Sequence, residues 1–165
     1  ESKGVFVAYA SIHGNTAKAA EKLGEMLKEK GAEKVVISDL SRSDMAENIE
    51  DAFKYLDRMG DQYDLIILDP PAFAKHRDAL RNALRGYTKL NAKAFEKIRP
   101  GGILFTFSCS QVVSKENFRL AVFSAAAQSG RSVRILHQLT QPADHPVNIY
   151  HPEGEYLKGL VLYVE

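Results

Sequence analysis

The chain has a single cysteine, no tryptophan and no apolar run long enough to span a bilayer. The lone Cys109 excludes an internal disulfide and any multi-cysteine metal site, and it fits a reducing compartment. The longest apolar runs, such as DLIILDPPAF, are short and interrupted. No charged-then-apolar leader opens the chain, so no membrane partner and a cytoplasmic location are expected. Net charge is also scarce: 22 Lys+Arg against 21 Asp+Glu give +1. No whole-molecule field draws the protein to nucleic acid, and strong RNA binding is not expected without a local basic patch. The first residue is Glu, which suggests a processed or recombinant form. What remains is 165 residues, 45% of them apolar, the size and balance of one compact domain over 1–165.

Hydrophobic patterning predicts alternating strands and helices. KGVFVAYAS reads as a buried strand running into a Ser/Gly/Asn loop, and Thr16 to Lys30 carries Ala20, Leu23, Gly24 and Leu27 at helical spacing with Gly31 as its cap. KVVISDL is a second strand. After Ser43, the stripe Ile49, Ala52, Phe53, Leu56 and Met59 predicts a helix that ends at Gly60. YDLIILDPP is a third strand stopped by two prolines. A long helix follows, with Leu80, Leu84, Tyr87, Leu90, Ala94, Phe95 and Ile98 on one face, and Pro100-Gly101-Gly102 is read as its break. GILFTFSCS, a helix from Ser114 to Gly130, RSVRILHQL and a final LKGLVLYVE complete the series. The expected fold is a three-layer, doubly wound α/β domain with a mostly parallel six-stranded sheet, the last strand antiparallel beside the fifth.

Within AYASIHGNT, residues Ser11, His13, Gly14, Asn15 and Thr16 lie between a strand and a helix. Hydroxyls and freed backbone N–H groups at a helix N-terminus make an anion nest, although a Ser/Gly/Asn turn capping a helix has the same composition. With VVISDLSRSD, this stretch resembles the opening β-α-β unit of flavodoxin-like domains of the A-type flavoproteins. The resemblance covers residues 1–50 and implies that Ser11, His13, Gly14, Asn15 and Thr16 form an FMN phosphate loop.

From about residue 51 the motifs change. DLIILDPPAFAK, RGYTKLN, GGILFTFSCS, ADHPV and PEGEYLKGL resemble the catalytic domain of the S-adenosylmethionine-dependent methyltransferases that make 5-methylcytosine in large-subunit ribosomal RNA. The resemblance implies that Cys109 descends from the nucleophile that attacks the cytosine ring, and that Asp69, Pro70 and Pro71 line the target-base pocket. A thiolate suits such a step because it adds reversibly to an unsaturated carbon. Without a family context Cys109 would read as a small hydrophobe near a strand end.

Both resemblances imply the strand order 2-1-3-4-6-5, which leaves the second strand as an exposed edge and a homodimer open. Each resemblance lacks the half that the other would need. The methyltransferase part has no Gly-rich cofactor loop of its own, and Asp39, which could imitate its ribose-binding acid, reads rather as a turn cap at Ser41. The flavodoxin part lacks its ring-clamping loops, with Phe73 the one aromatic available there. The resulting expectation is a recombined or designed scaffold, joined near residues 46–52, with no complete active site and no required cofactor. FMN or phosphate would bind weakly, S-adenosylmethionine is not expected to bind, and Cys109 is expected to be inactive. The alternatives are an FMN-binding module and a remnant of an RNA cytosine-C5 methyltransferase. His137, His145 and His151 match no metal-ligand spacing, so no metal is expected. The run KHRDALRNALRG, with Lys75, His76, Arg77, Arg81 and Arg85, reads as a solvated helix face. Glu153 and Glu155 read as part of a turn before the last strand.

Overall fold

The computed structural model describes residues 4–9, 15–39, 54, 56, 57, 63–74 and 76–165. Among these, the strands are β1 (Gly4–Tyr9), β2 (Lys34–Asp39), β3 (Tyr63–Asp69), β4 (Ile98–Ser108), β5 (Val133–Leu139) and β6 (Lys158–Val164). The helices are α1 (Asn15–Glu29), α2 (Leu80–Lys97) and α3 (Lys115–Ser129). All the described strands lie in one sheet of order β2-β1-β3-β4-β6-β5, the order that the family resemblances imply. The first four are parallel in register. β6 runs antiparallel between β4 and β5, because it follows a loop and has no crossover helix before it.

The alternation of β1 and β3 sends side chains into two separate cores. Phe6, Ala8, Ile66 and Leu68 face a large cluster with Tyr87, Leu90 and Phe95 of α2, Ile98 of β4, and Phe118, Val122 and Ala125 of α3. Val5, Val7 and Tyr9 face a smaller cluster against Ala20 and Leu23 of α1. Leu56, one of the few described residues of the helix expected before β3, is buried in the larger cluster. The rest of that helix, including Ile49, Ala52, Phe53 and Met59, lies outside the described residues.

Helix ends follow local chemistry. Ser114 caps α3, its Oγ accepting from the Asn117 N–H at 3.1 Å. Gly130 ends that helix in the left-handed region at φ 68°. Pro100-Gly101-Gly102 does not act as the helix break expected of it. α2 stops at Lys97 and β4 already begins at Ile98, so these residues lie inside the strand. The missing proline donor and the positive φ of 84° at Gly101 are absorbed by a register shift against β3, between Tyr63 and Leu65.

Arg131 ties three chain ends together. Its Nη1 donates to the Phe95 and Ile98 carbonyls at 2.8 and 3.0 Å, and its Nε donates to the Glu165 carbonyl at 2.6 Å. These acceptors lie at the end of α2, the start of β4 and just beyond β6, so one guanidinium satisfies carbonyls that the regular elements leave open. Arg131→Met is expected to lower unfolding stability by about 2 kcal/mol. Urea denaturation would check this, with an unchanged slope expected if only these hydrogen bonds are lost.

Candidate active site

Because β1, β2 and β3 run parallel, their carboxyl ends share one edge of the sheet. Tyr9, the last residue of β1, is flanked in register by Asp39 of β2 and Asp69 of β3. Pro70 and Pro71 follow at once and cannot extend the ladder, so the chain turns away and presents the Asp69 carboxyl at the strand tip. Burial pushes that carboxyl up to about 6.

The loop after β3 is fixed to the tip of β4 through one tyrosine. Phe73 stacks on Tyr87 of α2 with ring centroids 4.4 Å apart, and Phe118 of α3 meets Tyr87 edge-on at 5.4 Å. Gly86 makes the stack possible, since a Cβ there would lie 2.9 Å from the Phe73 ring. The Tyr87 hydroxyl accepts from Ser108 Oγ at 2.9 Å, and burial pushes its own ionisation up to about 12, so it stays neutral. Two residues on, Ser110 Oγ donates to the Ala74 carbonyl at 2.6 Å. Cys109 is therefore held between two buried serines, each tied to a group outside β4.

Cys109 opens on a cavity of about 320 Å³ lined by Ala72, Ala74, Ser110, Gln111, Val112 and Tyr156. Tyr156 is placed there by its backbone N–H, which donates to Gln141 Oε1 at 3.0 Å. Burial pushes the Cys109 thiol up, and the charge on Asp69 adds to this, while Lys158 acts the other way. A recessed thiol, a neighbouring carboxyl that titrates near neutrality and a cation share the site. This combination suits reversible nucleophilic addition with proton transfer.

The structure thus brings Asp69, Pro70, Pro71 and Cys109 to adjacent strand tips. Ser11, His13 and Gly14 lie outside the described residues; Asn15 and Thr16 open α1, with side chains outside the description. His137 lies in β5, whereas His145 and His151 lie beside Asp144 and Glu153 in the loop before β6. Among the described residues no group of three or more His, Cys, Asp and Glu side chains is placed to hold a metal ion. Of the expected solvated basic run, His76, Arg77, Arg81 and Arg85 are exposed, and Lys75 lies outside the description. Glu155 pairs with Lys115. Sequence reasoning missed the functional placement of Tyr87, Ser108, Ser110 and Lys158. A lysine at the head of the apolar run KGLVLYV was the available signal.

No family model matches the chain. Curated relatives do match. The ribosomal RNA large subunit methyltransferase I of Tolumonas auensis is 47% identical over 116 residues, covering 68% of this chain and 29% of the relative. That of Aeromonas salmonicida is 41% identical over 152 residues, covering 80% and 38%. The matched stretch is homologous to these methyltransferases, and the chain spans about a third of their length or less. Residues 51–165 are 115 of 165, about 70% of the chain, so a match covering 80% reaches residues before 51. Solved structures share the fold over nearly the whole chain. SMU.776 complexed with SAH has a TM-score of 0.64 at 18% identity, covering 98% of this chain and 45% of that one. NSun6 from Pyrococcus horikoshii with SFG has 0.52 at 17%, covering 97% and 47%. An S-adenosylmethionine-dependent methyltransferase from Clostridium acetobutylicum has 0.53 at 10%, covering 99% and 84%.

These matches overturn the reading of the chain as an inert, recombined or designed scaffold that is not an enzyme. None of them supports a flavodoxin-like origin for residues 1–50. The cofactor expectation of FMN or phosphate is contradicted with it: the solved structures that share the fold include one complexed with SAH and one with SFG. The strand tips agree in their chemistry. Two carboxyls, Asp39 and Asp69, flank Tyr9 where a ligand would meet the sheet edge. Such a pair repels a phosphate dianion and suits hydroxyl donors and a cationic sulfonium.

The folded-state value of Asp69, about 6, lies above its unfolded value of 3.8. The folded protein therefore holds this proton more tightly, and the associated stability is fully present below about pH 4 and lost as pH rises through about 6. Asp69→Asn is expected to flatten this part of the stability profile. Thermal midpoints of both proteins between pH 4 and 8 would check it, and parallel profiles would contradict it.

Proposed function

We propose that the chain carries the target-base half of an S-adenosylmethionine-dependent RNA methyltransferase site, with Cys109 as the nucleophile toward cytosine. The observation behind this reading is that Cys109 opens on a cavity just past the tip of β4, with Asp69 at the tip of β3 and Lys158 at the start of β6 as the charges that act on its thiol. The homologues' names extend it to large-subunit ribosomal RNA as substrate. A reducing cytoplasm would keep the single thiol free.

Asp39 is placed at the position where an acid would accept hydrogen bonds from the ribose hydroxyls of S-adenosylmethionine. When bound, that cofactor supplies an electrophilic methyl group. The remaining chemistry belongs to the protein. Cys109 loses its proton, and its sulfur forms a bond to carbon 6 of the cytosine ring, which raises electron density at carbon 5. Asp69 holds a proton up to about pH 6. It can share that proton with the ring nitrogen where charge accumulates. After carbon 5 is methylated and its proton leaves, the sulfur–carbon bond breaks, returning the thiolate and the ring's unsaturation. Pro70 and Pro71 keep the strand tip free of ladder hydrogen bonds, which leaves an edge for a flat base.

A large-subunit RNA fragment containing 5-fluorocytosine tests this reading, because fluorine at carbon 5 cannot leave as a proton does and the covalent species accumulates. With S-adenosylmethionine present, a protein–RNA adduct stable to denaturing electrophoresis is expected, and Cys109→Ser should abolish it. An adduct of equal yield in Cys109→Ser would remove Cys109 from the role, and no adduct with either protein would refute the proposed reaction.

A further inference from the structure

Lys158 is the one charged side chain that is buried among the described residues, at 6% exposure. It begins β6 directly across from Ser108, the last residue of β4. Its Nζ donates to the Ser110 carbonyl at 2.5 Å. The ammonium is thus bonded to the backbone of one neighbour of Cys109 and lies cross-strand from the other. Burying a lysine costs stability that a single carbonyl partner offsets only in part. A glutamine or methionine would fill the same position at lower cost, so the charge itself calls for a reason.

The structure assigns Lys158 as the positioning residue for the Cys109 nucleophile: its buried ammonium fixes the 108–110 turn and electrostatically favours the thiolate over the thiol. The thiol proton leaves to solvent through the open cavity, and Lys158 keeps its own proton. The groups that act on this equilibrium come from every element around it. Asp69 at the tip of β3 opposes the thiolate, and Lys158 on β6 favours it. Neutral Tyr87 lies on α2. Lys115 at the start of α3 repels Lys158 and is itself paired with Glu155. Reciprocally, the Cys109 charge holds Lys158 protonated against the effect of burial. Each group therefore favours the charged form of the other.

The inference deepens the nucleophile reading of Cys109 and rests on it. Its test uses neither RNA nor cofactor, so its failure is distinguishable from failure of the methyl-transfer reading. Cys109 is the only cysteine in the chain, so iodoacetamide reports on it alone. The pH profile of alkylation would be compared for the wild type, Lys158→Gln, which can still donate to the Ser110 carbonyl, and Lys158→Arg, which keeps the charge. Lys158→Gln is expected to move the midpoint upward and to slow alkylation at pH 8 several-fold. Lys158→Arg should restore most of the rate. Superposable profiles for all three proteins would overturn the assignment and leave Lys158 a structural residue, whatever the change in thermal midpoint. Should Lys158→Gln fail to fold, the reciprocal measurement decides. In Cys109→Ser the NMR titration of the Lys158 ammonium is expected to fall below its wild-type midpoint, and an unchanged midpoint would overturn the assignment.

Discussion

Tyr87 is buried from solvent, stacked on Phe73 and met edge-on by Phe118, and its hydroxyl takes a hydrogen bond from Ser108. These contacts join the loop after β3, the middle of α2, the face of α3 and the tip of β4. The rings supply apolar burial that a small site cannot obtain from its polar groups, and the hydroxyl gives the contact a fixed orientation. Gly86 belongs to the same unit, because the absence of its Cβ sets how closely α2 approaches Phe73. Asp69 and Cys109 stand on either side of this unit, and neither position is set by its own strand alone.

The antiparallel insertion of β6 adds the electrostatic element. A parallel strand in that slot would bring its last residue to the tip of β4. Running the other way, β6 brings its first residue, and that residue is Lys158. Asp69 then comes from a parallel neighbour and Lys158 from an antiparallel one, so the thiol is placed between opposite charges that arrive from two sides of β4. The mixed sheet therefore decides which charges surround the nucleophile.

The functional correction has a physical source. A loop such as SIHGNT reads as an anion nest because its composition is that of one, and composition alone does not fix what lies beside it. The described tips of β2 and β3 carry Asp39 and Asp69, which favour hydroxyl donors and a cation. Treating each half of the chain as incomplete by itself missed that the parallel sheet places the two halves' edge residues together. Homology reaching into the residues before 51 points the same way.

Much of the fold was legible from periodicity. The alternation of strands and helices, the antiparallel last strand, the Ser114 cap and the Gly130 terminus followed from hydrophobic spacing and turn chemistry, because each is fixed by interactions within a few residues, whereas the strand order followed from the family resemblances. The DPP and SCS motifs marked Asp69 and Cys109 through the methyltransferase resemblance, since by residue type alone Cys109 reads as a small hydrophobe near a strand end. Pro100-Gly101-Gly102 misled because a register shift against β3, which a local reading cannot see, absorbs them into a strand. Only the tertiary structure decided that Lys158, 49 residues after Cys109, would be buried beside it, and that Tyr87 would bind both loops. Side chains that meet across a sheet have no periodicity between them, and long-range electrostatics depends on burial that no stretch of sequence contains.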